Sequence, residues 1–173
     1  MDPRRLGIYL FIILELWSVA IMVLVSPPSA LLSLTSALSK SLLLLGGNGI
    51  FLLGGGVFMT LAKRALRQKK IKYFQLWLWS GILSGIGFLG MSNYEGKLLL
   101  ENFSSAQELL KGLSRFLFFS HFLQVGIGVI WSMALGFTGW FRLGWSNINA
   151  IHLCTLYWYG MILLWLELII FIY

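Results

Sequence analysis

Five apolar runs, each about twenty residues or longer, leave this chain little choice of solvent. They are LGIYLFIILELWSVAIMVLV (6–25), SLLLLGGNGIFLLGGGVFMTLA (41–62), YFQLWLWSGILSGIGFLGMS (73–92), LSRFLFFSHFLQVGIGVIWSMALGFT (113–138) and AIHLCTLYWYGMILLWLELIIFIY (150–173). At about 1.5 Å of rise per residue, a helical run of this kind crosses a hydrocarbon layer about 30 Å thick. An isolated strand in lipid would leave its backbone groups unpaired, so each run is expected to be helical. Composition agrees, since only 11% of the 173 residues are charged, against roughly a quarter in a soluble domain. The expected fold is a single all-α integral membrane domain over 1–173, with five transmembrane helices in a compact bundle.

The connections are SPPSALLSLTSALSK (26–40), the basic KRALRQKKIK (63–72), a mixed-charge loop (93–112) and GWFRLGWSNIN (139–149). None is long enough to fold alone. The net charge of +7 invites a nucleic-acid partner, but six of the cations sit in the short basic connection. That is the positive-inside pattern of a cytoplasmic loop, and no nucleic acid is expected. With the N-terminus inside, Arg4, Arg5, the six basic-loop residues and Arg142 are cytoplasmic; Lys40, Lys97, Lys111 and Arg115 are outside. The excess favours a cytoplasmic N-terminus and an external C-terminus. The first run exceeds a signal-peptide core and no small-residue cleavage site follows it, so it is expected to stay as an anchor.

Glycines mark the expected packing faces. Gly54, Gly55 and Gly56 on the second span, and Gly81 and Gly85 with Gly87 and Gly90 on the third, let helix backbones approach where lipid supplies no hydrophobic drive. GGNG (46–49) also resembles a phosphate-cradling loop, but no Lys-Ser/Thr follows it and it would lie in lipid.

Few polar groups enter the spans. Glu15 lies near the middle of the first, where a carboxylate costs about 3 kcal/mol unless it is protonated or faces a partner. His121 and Gln124 lie in the fourth, His121 roughly 12 Å deep. His152 sits near the inner end of the fifth and Glu167 near its outer end. The two histidines are expected at different depths, which excludes shared haem ligation. A copper or zinc site would need three or four ligands, and His152 with Cys154 falls short. No metal site is expected, and the lone Cys154 excludes a disulfide framework. Ser120 and His121 are sequence neighbours on a helix and point apart, so they form no nucleophile–base pair. Without a catalytic residue set, the chain reads as a subunit and not as an enzyme by itself, with His121 a hydrogen-bonded strut.

The order of these motifs resembles subunit III of haem-copper terminal oxidases, in its five-helix form, over nearly the whole chain. LGIYLFIILELW (6–17) is similar to the family's first span, with Glu15 at its buried glutamate. LAKRALRQKK (61–70) is similar to the basic loop after the small-residue helix, and Tyr94 with Glu95 to the Tyr-Glu pair closing the next one. FFSHFLQVGIGVIW (118–131) resembles the two-histidine span, with Gln124 in place of the second histidine. INAIHLCTLYWYGMILLW (148–165) resembles the closing helix: Tyr157, Trp158 and Trp165 match, while Tyr159 replaces a histidine and Ile162 an aspartate. The seven-helix form of the family carries two further helices before the matched spans.

The resemblance implies a non-catalytic subunit of the inner or plasma membrane of a prokaryote, in a complex reducing dioxygen to water. It implies no cofactor on this chain, haem and copper being held by the partner catalytic subunit I, with subunit II alongside. It implies phospholipid bound between the helices, and support of the partner's stability, proton uptake and oxygen access. Buried polar or structural positions are then Glu15, His121, Gln124, Tyr94, Glu95, Trp158 and Tyr159. A link between Glu15 and His121, direct or through water, is a hypothesis that separate lipid-facing positions would refute.

Other classes remain as alternatives. An accessory subunit of a nitric oxide reductase belongs to the same superfamily. A small transporter or channel predicts an inverted repeat, and none is evident. A lipid-modifying enzyme would need an interfacial polar cluster, for which MSNYEGKLLLENFSS (91–105) is the one candidate. The electron donor, quinol or cytochrome c, is not encoded here.

Overall fold

The computed structural model describes residues 42–102, 108–141 and 146–172, together with Tyr9, Ile13, Trp17 and Ala20 of the first apolar run. The rest of that run, Glu15 and the SPPS stop included, lies outside the described residues. Four helices follow in order: α1 (Leu42–Arg67), α2 (Ile71–Asn102), α3 (Glu108–Phe141) and α4 (Ser146–Ile172). Each contains a stretch long and apolar enough to cross a membrane, and there is no strand among the described residues. The protein is therefore a helical, multi-pass membrane protein.

Three connections expected from the apolar runs are shorter than the sequence implied. The mixed-charge segment 93–112 is mostly helical: α2 continues through Tyr94 and Glu95 to Asn102, and α3 begins at Glu108. The basic segment 63–72 supplies the last turn of α1 and the first of α2; in 139–149, residues 139–141 and 146–149 are helical and 142–145 lie outside the described residues. Counting apolar residues measures the width of the lipid, not the length of the helix. Runs such as GKLLLEN favour helix beyond that width.

Between α1 and α2 only Gln68, Lys69 and Lys70 remain, and they close the first helix with a defined cap. The Lys70 N–H donates to Ala65 O and the Lys69 N–H to Leu66 O, both at 3.0 Å, with Lys69 at φ 58°. This paired closure satisfies carbonyls that the helix end would otherwise leave unbonded. Lys70 O then accepts from the Phe74 N–H at 3.0 Å, starting α2.

So tight a turn forces α1 and α2 antiparallel, and the facing pairs show it: Met59 lies at Gly81, Phe51 at Ser84 and Gly87, and Met91 at Gly47. The same inverse register runs between α2 and α3 (Leu78 with Gly136, Phe88 with His121). It recurs between α1 and α4, from Lys63 with His152 to Gly49 with Trp165. The result is a four-membered ring in chain order, with α4 closing against both α3 and α1. The apolar window of α4 is 56% buried, against 39% in the other three, so it is the most enclosed helix.

Candidate functional site

The centre of the bundle is one side chain, Trp158. Its indole is 1% exposed and lies where three helices each present a glycine. A Cβ on Gly55 would fall 2.7 Å from Trp158 Cζ3, and one on Gly85 would fall 2.7 Å from Cη2 and 2.5 Å from Val129 Cγ2. A Cβ on Gly128 would meet Tyr157 Cε1 at 3.1 Å and Trp158 Cε2 at 3.7 Å. In lipid the gain from such a fit is dispersion and close backbone approach, because an exposed indole would also be in an apolar medium.

A buried hydroxyl completes this centre. Trp158 Nε1–H donates to Ser132 Oγ at 3.2 Å, Ser132 donates to Gly128 O at 2.7 Å, and Cys154 Sγ lies 3.4 Å from the same oxygen. A hydroxyl has one proton and two acceptor positions. With its proton on Gly128 O, Ser132 accepts from the indole and from the thiol, which fills its capacity. Met59 Sδ, at 4.0 Å, is a packing neighbour. A serine so occupied is no nucleophile. Ser80 and Thr155 likewise turn their hydroxyls onto their own helices, at Leu76 O and Ile151 O, the usual answer to a hydroxyl in lipid.

His121 is buried toward the end opposite the basic turn, its ring edge-on to Phe88 with centroids 5.4 Å apart. Gln124, also buried, stands one turn further along α3 and donates from Nε2 to Ser120 Oγ at 3.4 Å. His121 Nε2 has no hydrogen-bond partner among the described residues. The Gln124 backbone carbonyl oxygen accepts from the Tyr157 hydroxyl at 2.8 Å, tying α3 to α4. His121 thus faces the interior, and its link to Glu15 lies outside the described residues.

The other expected positions are scattered. Trp158 and Tyr159 are consecutive and point to opposite sides, the first buried and the second 45% exposed. Tyr94 is exposed near the end of its apolar window, and the side chain of Glu95 lies outside the described residues. Gly54 approaches Ser84, Gly56 approaches Ile162 and Gly81 approaches Met59, whereas nothing lies within 4 Å of a Cβ on Gly90. Among the described residues Gly90 is open and joins no packing face.

Several cross-helix bonds join residues that no sequence spacing pairs. Lys63 Nζ lies 2.9 Å from His152 Nδ1, joining α1 to α4 beside the basic turn. Lys63 has only protons to offer, so Nδ1 accepts and His152 carries its proton on Nε2. Ser84 Oγ donates to Phe51 O at 2.6 Å, and Thr60 pairs with Tyr159 at 2.8 Å. The signal for these was a Ser, Thr or Tyr inside each apolar run, but no spacing rule names their partners on other helices. Among the described residues no three His, Cys, Asp or Glu side chains form a group that could hold a metal ion. No protein-family model matches the chain, and no curated protein matches it.

Proposed function

We propose that this chain is a non-catalytic subunit that braces a larger, metal-bearing neighbour in the membrane, a subunit III of a haem-copper respiratory oxidase. The observation that carries the reading is the closed centre. One indole fills the space between three glycines, and the single hydroxyl beside it has no bonding capacity to spare. Large apolar side chains such as Leu83, Ile130 and Leu163 cover the outward faces. A body filled at its core and apolar outside is suited to packing against other helices and lipid. The sequence resemblance supplies the identity of the neighbour.

On this reading the chain lies in the plasma membrane of a prokaryote with the basic turn cytoplasmic, as Arg64, Arg67, Lys69, Lys70 and Lys72 favour. It binds phospholipid, holds no haem or copper of its own, and supports the stability, proton uptake and oxygen supply of the large catalytic subunit. The test is purification from native membranes in mild detergent, with a visible spectrum and mass spectrometry of what accompanies it. A haem-bearing large subunit that reduces dioxygen is the expected companion. One that reduces nitric oxide instead moves the chain to the sister complex. A colourless, homogeneous preparation of this chain alone overturns the reading.

A further inference from the structure

Away from the first and last turns of the four apolar windows, the exposed side chains among the described residues are apolar, with two exceptions: Thr60 on α1 and Tyr159 on α4. The outward stripe of α3, for comparison, is Phe119, Leu123, Ile127, Ile130, Ala134 and Phe137. The two exceptions touch each other, and the direction of their bond can be assigned. Thr60 Oγ1 gives its one proton to Gly56 O at 3.0 Å. In the 2.8 Å contact with Tyr159 the phenol must therefore be the donor. What remains on Tyr159 Oη is an acceptor, partly exposed, in a region where acyl chains offer no donor.

Four residues further along the same face of α1, about 6 Å toward the basic turn, stands exposed Arg64. The seam between α1 and α4 thus presents an acceptor in the apolar zone and a cation one turn nearer the membrane surface. A lipid headgroup can answer Arg64 but brings nothing for Tyr159. A helix can answer both, with a hydroxyl, indole or amide donor at one level and a carboxylate or terminal carbonyl near the other.

We infer that the α1–α4 seam, marked by Thr60, Tyr159 and Arg64, is the face on which a transmembrane helix of the large partner subunit docks, and that the outward faces of α2 and α3 meet lipid. This rests on the proposed function and specifies the surface through which it acts.

A benzophenone amino acid placed at Val57 or Leu163, on the seam, and at Leu83 or Ile127, on the other faces, tests it in intact native membranes. The complex is then purified, and its spectrum is read separately from the crosslinks. Light-induced crosslinks to the haem-bearing subunit from the seam positions are expected, with only lipid adducts from the others. Y159F removes the hydroxyl and keeps the ring, and T60V keeps the shape without the acceptor. Each should lower seam crosslinking by about three- to fifteen-fold, the range that single interhelical hydrogen bonds produce, while lowering the stability of the isolated chain by no more than the loss of the Thr60–Tyr159 bond itself. Crosslinks to the haem subunit from Leu83 or Ile127 alone overturn the assignment of the face but leave the proposed function standing. Seam crosslinks only to lipid, to a second copy of this chain or to its own residues 6–25 also overturn the assignment. A spectrum without haem instead overturns the proposed function.

Discussion

Trp158 and Gly85 come from diagonally opposite helices, and the indole edge occupies the volume a side chain at Gly85 would need. Neither Val129 nor the indole can withdraw, because each is enclosed. G85A should destabilise the chain by about 1–3 kcal/mol, the usual cost of overpacking. G90A, where nothing lies within 4 Å, should leave stability unchanged or raise it by up to about 1 kcal/mol through helix propensity. Unfolding in a graded mixture of mild detergent and dodecyl sulfate measures both. Equal effects at the two sites would contradict the packing described.

The buried Trp158 N–H donates to Ser132 Oγ, and S132A takes that acceptor away. The loss should be about 1–3 kcal/mol, and S132T should recover part of it. Tryptophan fluorescence during the same titration follows the change.

Lys69 closes α1 from the left-handed region, at φ 58°. A side chain there costs about 1–2 kcal/mol relative to glycine, partly offset by the freedom glycine gains when unfolded. K69G should therefore stabilise the turn by roughly 0.5–1 kcal/mol. K69P should be strongly destabilising, since proline fixes φ negative and removes the N–H that bonds Leu66 O.

His121 packs edge-on against Phe88, and its Nε2 is bare among the described residues. H121F keeps a ring against Phe88 and removes the bare nitrogen, so the isolated chain should stay within about 1 kcal/mol of the parent. A loss above about 3 kcal/mol would mean that Nε2 is bonded in the membrane.

The cytoplasmic placement proposed for the basic turn makes its own forecast. A cysteine at Lys70 should resist a membrane-impermeant maleimide in intact cells and react once they are permeabilised. Cys154 is buried and gives little background. Labelling before permeabilisation would reverse the orientation.

Much of this architecture could be read from residue order. The apolar runs locate four helices because backbone amides in lipid have few alternatives to helical bonding. The glycine-rich faces were visible because small residues recur at helical spacing. What could not be read was the agent that fills them. Trp158 and Tyr159 are adjacent aromatics, and only the angle at which α4 enters decides which becomes the wedge and which faces outward. Gly90 fits the same pattern as Gly85, yet it lies one and a half turns further along and points to open space. Hydropathy reports lipid and not helix, so the polar ends of α2 and α3 look like loops in the sequence. The pairing of Lys63 with His152, or of Thr60 with Tyr159, depends on the register between helices about ninety residues or more apart.

The wedge belongs to the last of the four helices to leave the ribosome. Until residues near position 158 have been synthesised, α1, α2 and α3 share the membrane with an unfilled notch between their glycines. Newly made protein should therefore pass through a vulnerable interval, open to membrane proteases and dependent on an insertase to hold the three helices in place. Arrival of the indole fills that notch, so translation of α4 is expected to be the step that commits the chain to its mature form.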